Sequence, residues 1–424
     1  MSIIERITDY SSAGEGICRH EGMVFFVLEA LVGELVEIDI ISTGRSFGRA
    51  NIKRIIEPSP QRCIPSCEIF GSCGGCDLMH MSYQEQLRFK KGRIKNAMDR
   101  IGGLSCSVND VTASKSQYGY RNKARYSIQK GIIGFNRKSS NEVIETNSCH
   151  IVPEDVEQLK NKLKSFIRHY PGILTITIRK SIYNSELAVI LESEKKNISN
   201  INALAKKIKE SSDKIVSIDI ITGNNVINLF GKGFIEDKVG KYHFIIKPRS
   251  FFQINTPQAE KLYKTALRLS GTNMNETLLD PYCGTGTIAL YFSDHYKKVI
   301  GSDVEVQSIE AAKENTVRNQ VKNANFFCCK AEELLKSNSS KDTTVILDPP
   351  RNGCDPNVLE AITSIGFQKI IYISCEPSTL ARDLKYLAAK NYRFSEIQPL
   401  DMFPQTSHVE AIIMMTKCGL EDEK

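Results

Sequence analysis

Residues 278–287 read Leu-Leu-Asp-Pro-Tyr-Cys-Gly-Thr-Gly-Thr, an apolar run that ends in a glycine-rich turn. From about residue 250 onward, short apolar runs of this kind alternate with longer stretches of helical periodicity. Such alternation is typical of α/β proteins in which helices cover both faces of a parallel sheet. The sequence therefore predicts a doubly wound parallel sheet with ligands at the carboxyl ends of its strands. The expected strands are 277–281, 298–302, 344–348, 370–374 and 410–415, and one of the helices between them is expected at 304–319.

The glycine turn is the first candidate ligand site. Glycines at Gly284 and Gly286 allow close approach of the backbone to a bound nucleotide. Asp303 follows about 20 residues later, at the end of the next predicted strand, where a carboxylate typically binds ribose hydroxyls. The turn is not Gly-x-Gly-x-x-Gly, so the sequence does not favour a dinucleotide pyrophosphate. The alternative is an ordinary tight turn followed by a helix-capping Asp.

A second set of residues carries candidate chemistry. Cys375 stands at the end of an apolar strand and just before a helical stretch, where the helix N-terminus lowers the pKa of a thiol. A thiolate that adds to C6 of uracil makes C5 nucleophilic towards a methyl sulfonium. A carboxylate must then remove the C5 proton, and Glu410, at the start of the apolar strand 411–415, is the candidate base. The alternative for Glu410 is an exposed glutamate at the edge of a strand.

Between these motifs lies Asp348-Pro-Pro-Arg351. Asp-Pro-Pro followed by an aromatic residue suits methylation of exocyclic amines, and here Arg351 replaces the aromatic residue. We expect Asp348 to contact either the uracil edge or the methyl donor. The order of a nucleotide turn, Asp-Pro-Pro and a cysteine at a strand end predicts methyl transfer to a nucleic-acid base.

Length and composition indicate the number of domains, the charge of a partner and the cellular location. The chain has 424 residues, of which 41% are hydrophobic and 25% charged, with a formal net charge of +7. That length is enough for two or three domains of a soluble protein, and the charge is compatible with a polyanionic partner. The N-terminus lacks the apolar core of a signal peptide, and no apolar run approaches the length of a membrane span. We therefore expect a cytoplasmic protein that does not contact membranes.

The sequence before the catalytic motifs predicts two further domains. Residues 1–58 contain about five short strand-like runs, which suits a small barrel such as an OB fold, a common binder of oligonucleotides. Residues 59–248 read as α+β, with a basic helix near 84–100 that we expect to bind RNA or to pack on the catalytic domain. The segment 118–126 mixes tyrosines with cations and is a candidate for stacking on RNA bases. Residues 249–424 form the predicted catalytic domain.

Thirteen cysteines are many for a cytosolic protein, where disulfides are rare. Cys67, Cys73 and Cys76 lie close together, and Cys149 is remote. Structural zinc sites usually pair close cysteines twice, whereas three close thiolates and one remote thiolate suit an iron–sulfur cluster. Zinc remains the alternative. The Cys-x3-Cys-x2-Cys spacing of radical enzymes is absent, so the predicted role of the cluster is structural or RNA-related.

Taken together, these residues resemble the RNA uracil-5-methyltransferases, which use S-adenosylmethionine to make 5-methyluridine. The resemblance covers almost the whole chain and rests on motifs at 250–255, 280–286, 348–353, 374–383 and 401–410. It implies a Rossmann-like catalytic domain with Cys375 as nucleophile and Glu410 as base. It also implies that S-adenosylmethionine is bound by Gln253, Tyr282, Gly284, Gly286, Asp303 and Asp348.

For the rest of the chain, the resemblance implies an N-terminal TRAM module and a four-iron, four-sulfur cluster on Cys67, Cys73, Cys76 and Cys149. The TRAM module and the cysteines favour the branch that acts on 23S ribosomal RNA over transfer RNA, and no obligate protein partner is implied. One departure is Glu376, where the family frequently has Asn. Two other classes of protein are alternatives: a non-catalytic RNA-binding iron–sulfur protein on a methyltransferase fold, and an NAD-linked oxidoreductase. The intact motifs disfavour the first, and the missing third glycine disfavours the second.

Overall fold

The computed structural model describes residues 2–195, 198–271, 273–340 and 343–418. Its N-terminal part is a six-stranded sheet in the order β1-β5-β6-β4-β3-β2, antiparallel except between β4 and β6. Residues alternate between the two faces, so that Val36 and Ile38 of β5 are fully buried. The predicted β unit is thus present, with six strands, and its closure as an OB-like barrel stays a prediction. Its strands are β1 (Ser2–Arg6), β2 (Asp9–Tyr10), β3 (Gly16–His20), β4 (Met23–Leu28), β5 (Leu35–Thr43) and β6 (Phe47–Glu57).

Turns and bends occupy residues 58–82 and lead into the helix α1 (Tyr83–Ala97). The Ser82 hydroxyl accepts a hydrogen bond from the Glu85 backbone N–H at 3.2 Å. This bond satisfies one of the free donors of the first turn. After α1 the chain makes a π-helical turn, Met98–Gly102, and the helix ends at Gly103, whose φ is +62°. Glycine adopts this left-handed conformation easily, which makes it a common helix terminator.

The central part of the chain is a seven-stranded sheet in the order β13-β12-β11-β10-β7-β8-β9, in which only β11 and β12 are parallel. Helices α2 and α3 contribute Leu159, Leu163 and Leu204 to its core. A two-stranded hairpin, β14–β15, then leads towards the catalytic part. The elements are β7 (Lys123–Gln129), β8 (Ile132–Asn136), β9 (Val143–Glu145), α2 (Glu154–Ile167), β10 (Ile173–Lys180), β11 (Leu187–Ser193), α3 (Ile201–Glu210), β12 (Ile215–Thr222), β13 (Asn225–Gly231), β14 (Ile235–Val239) and β15 (Tyr242–Ile246).

The C-terminal part contains an eight-stranded sheet in the order β18-β17-β16-β19-β20-β23-β21, with β22 paired to β23. The predicted alternation of strands and helices is confirmed. The elements are α4 (Thr256–Ser270), β16 (Asn273–Asp280), α5 (Thr287–Phe292), β17 (Tyr296–Asp303), α6 (Val306–Arg318), β18 (Ala324–Cys328), α7 (Ala331–Ser337), β19 (Thr343–Leu347), α8 (Pro356–Ile365), β20 (Lys369–Ser374), α9 (Pro377–Ala388), β21 (Tyr392–Phe394), β22 (Gln398–Leu400) and β23 (Glu410–Lys417).

This sheet is covered on both faces, as its strands require. In β20, Ile371 and Ile373 pack with α4, α5 and α6, whereas Ile370 and Tyr372 pack with α7, α8 and α9 on the other face. The alternation follows from the two-residue period of a strand. Helix α1 joins the second face, since Ile94 shares its core.

One expectation about the sheet was wrong: it is not wholly parallel. β23 runs antiparallel to β20, and it also pairs in antiparallel fashion with β21 and β22. A parallel neighbour requires a crossover of about a dozen residues or more, usually a helix. The chain instead passes from α9 through the two short strands β21 and β22 and turns back into β23. Among the described residues, no helix has the length and apolar character needed to cross a membrane.

Candidate active site

The reversed direction of β23 brings the candidate nucleophile and the candidate base together. In the antiparallel register, Ser374 pairs with Ala411. Cys375 follows Ser374 directly and Glu410 precedes Ala411, so the two residues stand opposite each other where β20 ends and β23 begins. Two residues that are distant in the sequence thus become cross-strand neighbours.

Two more side chains complete this group. Asp348 follows β19, the parallel neighbour of β20, and Arg351 lies three residues farther along. Burial and the Asp348 carboxylate raise the pKa of Glu410 to about 8, and the Arg351 cation opposes them. Burial, Glu410 and Asp348 raise the pKa of Cys375 to about 12, with Arg351 again in opposition. The four side chains therefore lie close enough to interact electrostatically.

The electrostatics of the site favour the protonated forms of Cys375 and Glu410 at neutral pH. Glu410 is only 4% exposed, and burial raises the pKa of Asp348 to about 7. Removal of water penalises a charged carboxylate or thiolate more than its neutral form. Strongly raised carboxyl pKa values of this kind are common where a protein needs an acid or base that exchanges protons near pH 7.

The glycine turn lies at the same edge of the sheet, after β16. Gly284 and Gly286 both have positive φ, +50° and +81°. A Cβ at Gly286 would lie 3.0 Å from the Phe326 ring, a tight contact, and the left-handed φ of this residue strains any side chain there. A Cβ at Gly284 would meet no atom within 4 Å, which leaves its backbone open to a ligand. The turn therefore fits a nucleotide-type cofactor through backbone approach.

Asp303 ends β17 and lies beside this turn. Its Oδ2 accepts a hydrogen bond from the Gly284 N–H at 3.1 Å, and its Oδ1 accepts one from the Glu305 N–H at 2.9 Å. The carboxylate thus orders the turn, and its partial exposure leaves it accessible to a ligand. Both a capping role and a ribose-binding role of Asp303 are compatible with this geometry.

Gln253 and Tyr282 are placed differently. The Gln253 carbonyl accepts a hydrogen bond from the Asn122 side chain at 3.1 Å, which ties this segment to the central sheet. The half-buried Tyr282 ring lies beside Cys354 and lines a cavity of about 560 Å³ bounded by α8 and α9. The structure therefore brings Cys375, Glu410 and Asp348 into one group, and Gly284, Gly286 and Asp303 into another along the same sheet edge.

Two tyrosines proposed for RNA stacking are unavailable. Tyr126 is fully buried and donates a 2.5 Å hydrogen bond to Glu157, and Tyr120 is 5% exposed and donates to the Pro404 carbonyl. The expectation was wrong for both because the alternation of β7 and the preceding loop turns these rings into the core. Tyr118, which is 45% exposed, is the tyrosine of this segment that is open to solvent.

The four predicted cluster cysteines line one cavity of about 140 Å³, which Arg121 and Arg125 also line. Burial raises the pKa of Cys76, and the neighbouring thiols of Cys149, Cys73 and Cys67 raise it further. In the described ranges, no three His, Cys, Asp or Glu side chains converge closely enough to hold a single metal ion. The four thiols thus surround a space and do not meet at a point.

The sequence did not identify Arg351 as a member of the group formed by Cys375, Glu410 and Asp348, because Arg351 was noted there only as a replacement for an aromatic ring. Arg351 faces both Cys375 and Glu410 and lies 3.3 Å from His408 Nε2. The sequence feature that could have identified Arg351 is its position three residues after Asp348, in a loop that follows a buried strand. His408, a second candidate base in the same segment as Glu410, has its pKa lowered to about 4 by burial, which makes it a poor proton acceptor.

Comparison with known proteins identifies the family of this chain. The family model described as tRNA (uracil-5-)-methyltransferase matches residues 82–418. A Clostridium tetani protein described as an uncharacterized RNA methyltransferase is 37% identical, over 97% of this chain and 96% of the relative. A Staphylococcus aureus protein of the same description is 34% identical, over 96% of each chain.

A solved structure extends the similarity to three dimensions. The Pyrococcus abyssi tRNA (uracil-54, C5)-methyltransferase, in complex with S-adenosyl-L-homocysteine, superposes with a TM-score of 0.80 at 26% identity. The match covers 97% of this chain and 99% of that one, so it includes the N-terminal and central sheets as well as the catalytic part. The chain therefore belongs to the tRNA (uracil-5-)-methyltransferase family and is an S-adenosylmethionine-dependent RNA (uracil-5) methyltransferase.

Proposed function

We propose that this protein forms 5-methyluridine in 23S ribosomal RNA, with Cys375 as nucleophile and Glu410 as base. The observation that carries the mechanism is the β20–β23 pairing, which sets these two residues opposite each other at the ligand edge of the sheet. Asp348 and Arg351 complete the group. A uracil ring placed between a thiol and a carboxylate meets both groups that the reaction requires.

The chemistry begins with the Cys375 thiolate. Its sulfur forms a bond to C6 of the uracil, and the electron pair of the C5–C6 double bond moves to give an enolate that is nucleophilic at C5. S-Adenosylmethionine, when bound, would supply the methyl group that C5 accepts, with cleavage of its sulfur–methyl bond and release of S-adenosylhomocysteine. Glu410 then takes the remaining C5 proton, the double bond reforms, and the C6–sulfur bond breaks to release Cys375.

Arg351 supports both ionised groups. Its charge lowers the pKa of Cys375 and of Glu410, opposing the dominant effect of burial. The thiolate is the reactive form of a cysteine, and only a carboxylate can accept a proton. We propose that Arg351 favours these two forms when the target base has displaced the remaining water from the site.

We propose that Gly284, Gly286 and Asp303 hold the nucleoside part of S-adenosylmethionine. The open backbone at Gly284 and the adjoining Asp303 carboxylate support this assignment. The other proposed contacts come from Gln253, Tyr282 and Asp348. Of these, Asp348 is the one that the structure groups with the catalytic pair.

We also propose that Cys67, Cys73, Cys76 and Cys149 hold a four-iron, four-sulfur cluster. Around one zinc ion, Zn–S bonds of about 2.3 Å would bring the thiols to within about 3.8 Å of one another. The four thiols instead surround a cavity, which suits a larger cluster better than a single ion. Arg121 and Arg125, which line that cavity, would balance part of the negative charge of four thiolates.

We propose three domains, with the bounds predicted from the sequence. Residues 1–58 form an OB-like TRAM module that binds RNA, residues 59–248 form the cluster-bearing central domain, and residues 249–424 form the catalytic domain. The target uridine must leave its stack to reach Cys375, because the site lies at the edge of a buried sheet. A cytoplasmic location follows from a ribosomal substrate.

Transfer RNA is the second candidate substrate. The Pyrococcus abyssi enzyme, named for uracil 54 of tRNA, matches 97% of this chain, so the complete architecture is shared with a tRNA enzyme. The N-terminal sheet is therefore present in an enzyme named for tRNA as well, and the choice of 23S RNA rests on the resemblance of the N-terminal module and the cysteines to the branch that acts on ribosomal RNA.

The decisive experiment compares RNA from a strain that lacks the gene with RNA from its parent. Mapping of 5-methyluridine by mass spectrometry across 23S and transfer RNA should show loss at one or two 23S positions. Restoration by the gene, but not by its Cys375→Ala variant, would tie the loss to the proposed nucleophile. Loss confined to transfer RNA would overturn the substrate assignment and keep the chemistry, and no loss in either RNA would contradict the proposed function.

A further inference from the structure

One face of α1 is polar and buried, although the helix lies outside the catalytic sheet. Tyr83, Gln86, Lys90 and Arg93 recur at intervals of three or four residues, which places them in one line along the helix. All four make hydrogen bonds to the segment Asp401–Ser407, which leads into Glu410. The contacts join parts of the chain about 310 residues apart.

The first three of these residues anchor the beginning of that segment. Lys90 Nζ donates to Asp401 Oδ1 at 2.5 Å and to the Phe403 carbonyl at 3.0 Å, and Tyr83 donates to Asp401 Oδ2 at 2.8 Å. The Lys90 and Asp401 side chains are both 0% exposed. The Gln86 amide exchanges two hydrogen bonds, each 3.0 Å long, with the side chain and backbone of Gln405.

Arg93 makes the contact that matters for the reaction. One terminal nitrogen donates to the Ser407 carbonyl at 2.8 Å, three residues before Glu410. The other donates to both carboxylate oxygens of Glu376, at 3.0 and 2.8 Å, and Glu376 is the residue next to Cys375. The Arg93 side chain is only 10% exposed. One planar guanidinium therefore joins the segment that carries the base to the segment that carries the nucleophile.

Glu376 transmits this contact to the nucleophile. Its carboxylate caps α9 by accepting hydrogen bonds from the Ser378 N–H at 3.3 Å and the Ser378 hydroxyl at 2.9 Å. It is therefore held from two sides, by the first turn of α9 and by Arg93. Arg93 also balances the charge that Glu376 places next to the proposed nucleophile, and it lowers the pKa of the Glu376 carboxyl against the effect of burial.

We propose that Arg93 is a positioning residue that sets the separation of Cys375 and Glu410 across the bound uracil. The inference rests on the proposed roles of those two residues. Arg93 acts through Ser407 and Glu376 and has no contact with the ring in this scheme. A lysine carries the same charge but presents a single ammonium group, so it cannot hold both segments in the fork geometry of arginine.

The test measures single-turnover methyl transfer to target RNA by the full-length wild type and by the variants Arg93→Gln and Arg93→Lys. Both variants should lose about 100-fold in rate at saturating RNA, the effect expected of a displacement of about 1 Å between reacting groups. RNA affinity, measured separately by filter binding, should be unchanged. The matched control is Arg268→Gln, which removes one positive charge from an exposed position in the last turn of α4 and should keep the wild-type rate.

A double-mutant cycle then locates the effect. Glu376→Gln should slow methyl transfer, and adding it to Arg93→Gln should cause no further loss, because the link is already broken. If Arg93→Gln does not fold, Glu376→Gln tests the same link from its other end.

Three outcomes are informative. A wild-type rate in both Arg93→Gln and Glu376→Gln would overturn the inference, and so would a loss of RNA affinity with an unchanged rate, which would make Arg93 a phosphate contact. A wild-type enzyme that neither methylates RNA nor forms a covalent adduct would instead contradict the proposed function on which the inference rests.

Discussion

Replacement of Glu410 by Gln should stabilise the folded protein at pH 8, although it removes the proposed base. Burial, together with the neighbouring Asp348, raises the pKa of Glu410 from 4.5 to about 8. The unfolded chain therefore ionises this group near pH 4.5, whereas the folded protein keeps the proton until about pH 8. Between pH 4.5 and about pH 8, folding therefore takes up a proton at Glu410. The contribution of Glu410 to the free energy of unfolding is fully present below pH 4.5 and is lost as the pH rises to about 8.

The magnitude follows from the separation of the folded and unfolded pKa values of Glu410, 4.5 and about 8. Since one pKa unit corresponds to about 1.4 kcal/mol, this separation costs the wild type about 4–5 kcal/mol at pH 8. Gln is neutral at every pH and avoids this cost. Its buried amide leaves hydrogen bonds unmade, which costs about 1–3 kcal/mol. The net gain for Glu410→Gln is therefore about 1–4 kcal/mol at pH 8.

Thermal unfolding monitored by calorimetry checks this prediction. For a domain of about 150–250 residues, each kcal/mol shifts Tm by about 2–4 °C, so the gain in Tm at pH 8 should be about 2–16 °C. The gain should disappear, and the variant should become less stable than the wild type, at about pH 5. Glu360→Gln, an exposed carboxylate on α8, is the control and should change Tm little at either pH. An equal gain at both pH values, or none at pH 8, would refute the reasoning.

Five further results are expected. Cys375→Ala should abolish methyl transfer while S-adenosylmethionine binding, measured by calorimetric titration, persists; continued turnover would exclude the assigned nucleophile. Glu410→Gln should leave the enzyme covalently attached to RNA, seen as a shifted band on a denaturing gel, and wild-type turnover should rise with pH through about 8 as the base ionises. Cys76→Ser should lower the iron and sulfide content of anaerobically purified protein, and equal metal content would argue against the cluster. Lys90→Met should destabilise the protein by about 3–5 kcal/mol in denaturant unfolding, because the buried Asp401 carboxylate would lose its ion-pair partner and keep only the hydrogen bond from Tyr83.

The elements of the catalytic domain could be predicted from the sequence because they depend on local patterns. A short apolar run before a glycine turn indicates a strand, and a 3.6-residue period indicates a helix, within windows of about ten residues. The expected strand at 370–374 is β20, Lys369–Ser374, and the expected helix at 304–319 is α6, Val306–Arg318. Gly284, Gly286 and Cys375 were recognisable for the same reason, since each stands at the end of such a run.

The direction of β23 could not be predicted in this way. An apolar run has the same pattern whether its strand lies parallel or antiparallel to its neighbour, because side chains alternate with a period of two in both. The direction depends on the connection, and here two short strands take the place of a crossover helix. The same limit applies to Tyr120 and Tyr126, whose burial depends on which face of the sheet receives α2.

By itself, the sequence determined the α/β class of the catalytic part, the family and the identity of the candidate catalytic residues, because each of these can be recognised from short motifs. The tertiary structure alone decided that Cys375 faces Glu410, that the remote Cys149 lines the same cavity as Cys67, Cys73 and Cys76, and that Arg93 joins the segments on either side of the site. These relations bring together residues up to about 310 positions apart. Such contacts arise only when buried polar groups find partners during packing of the whole chain, and no local pattern records them.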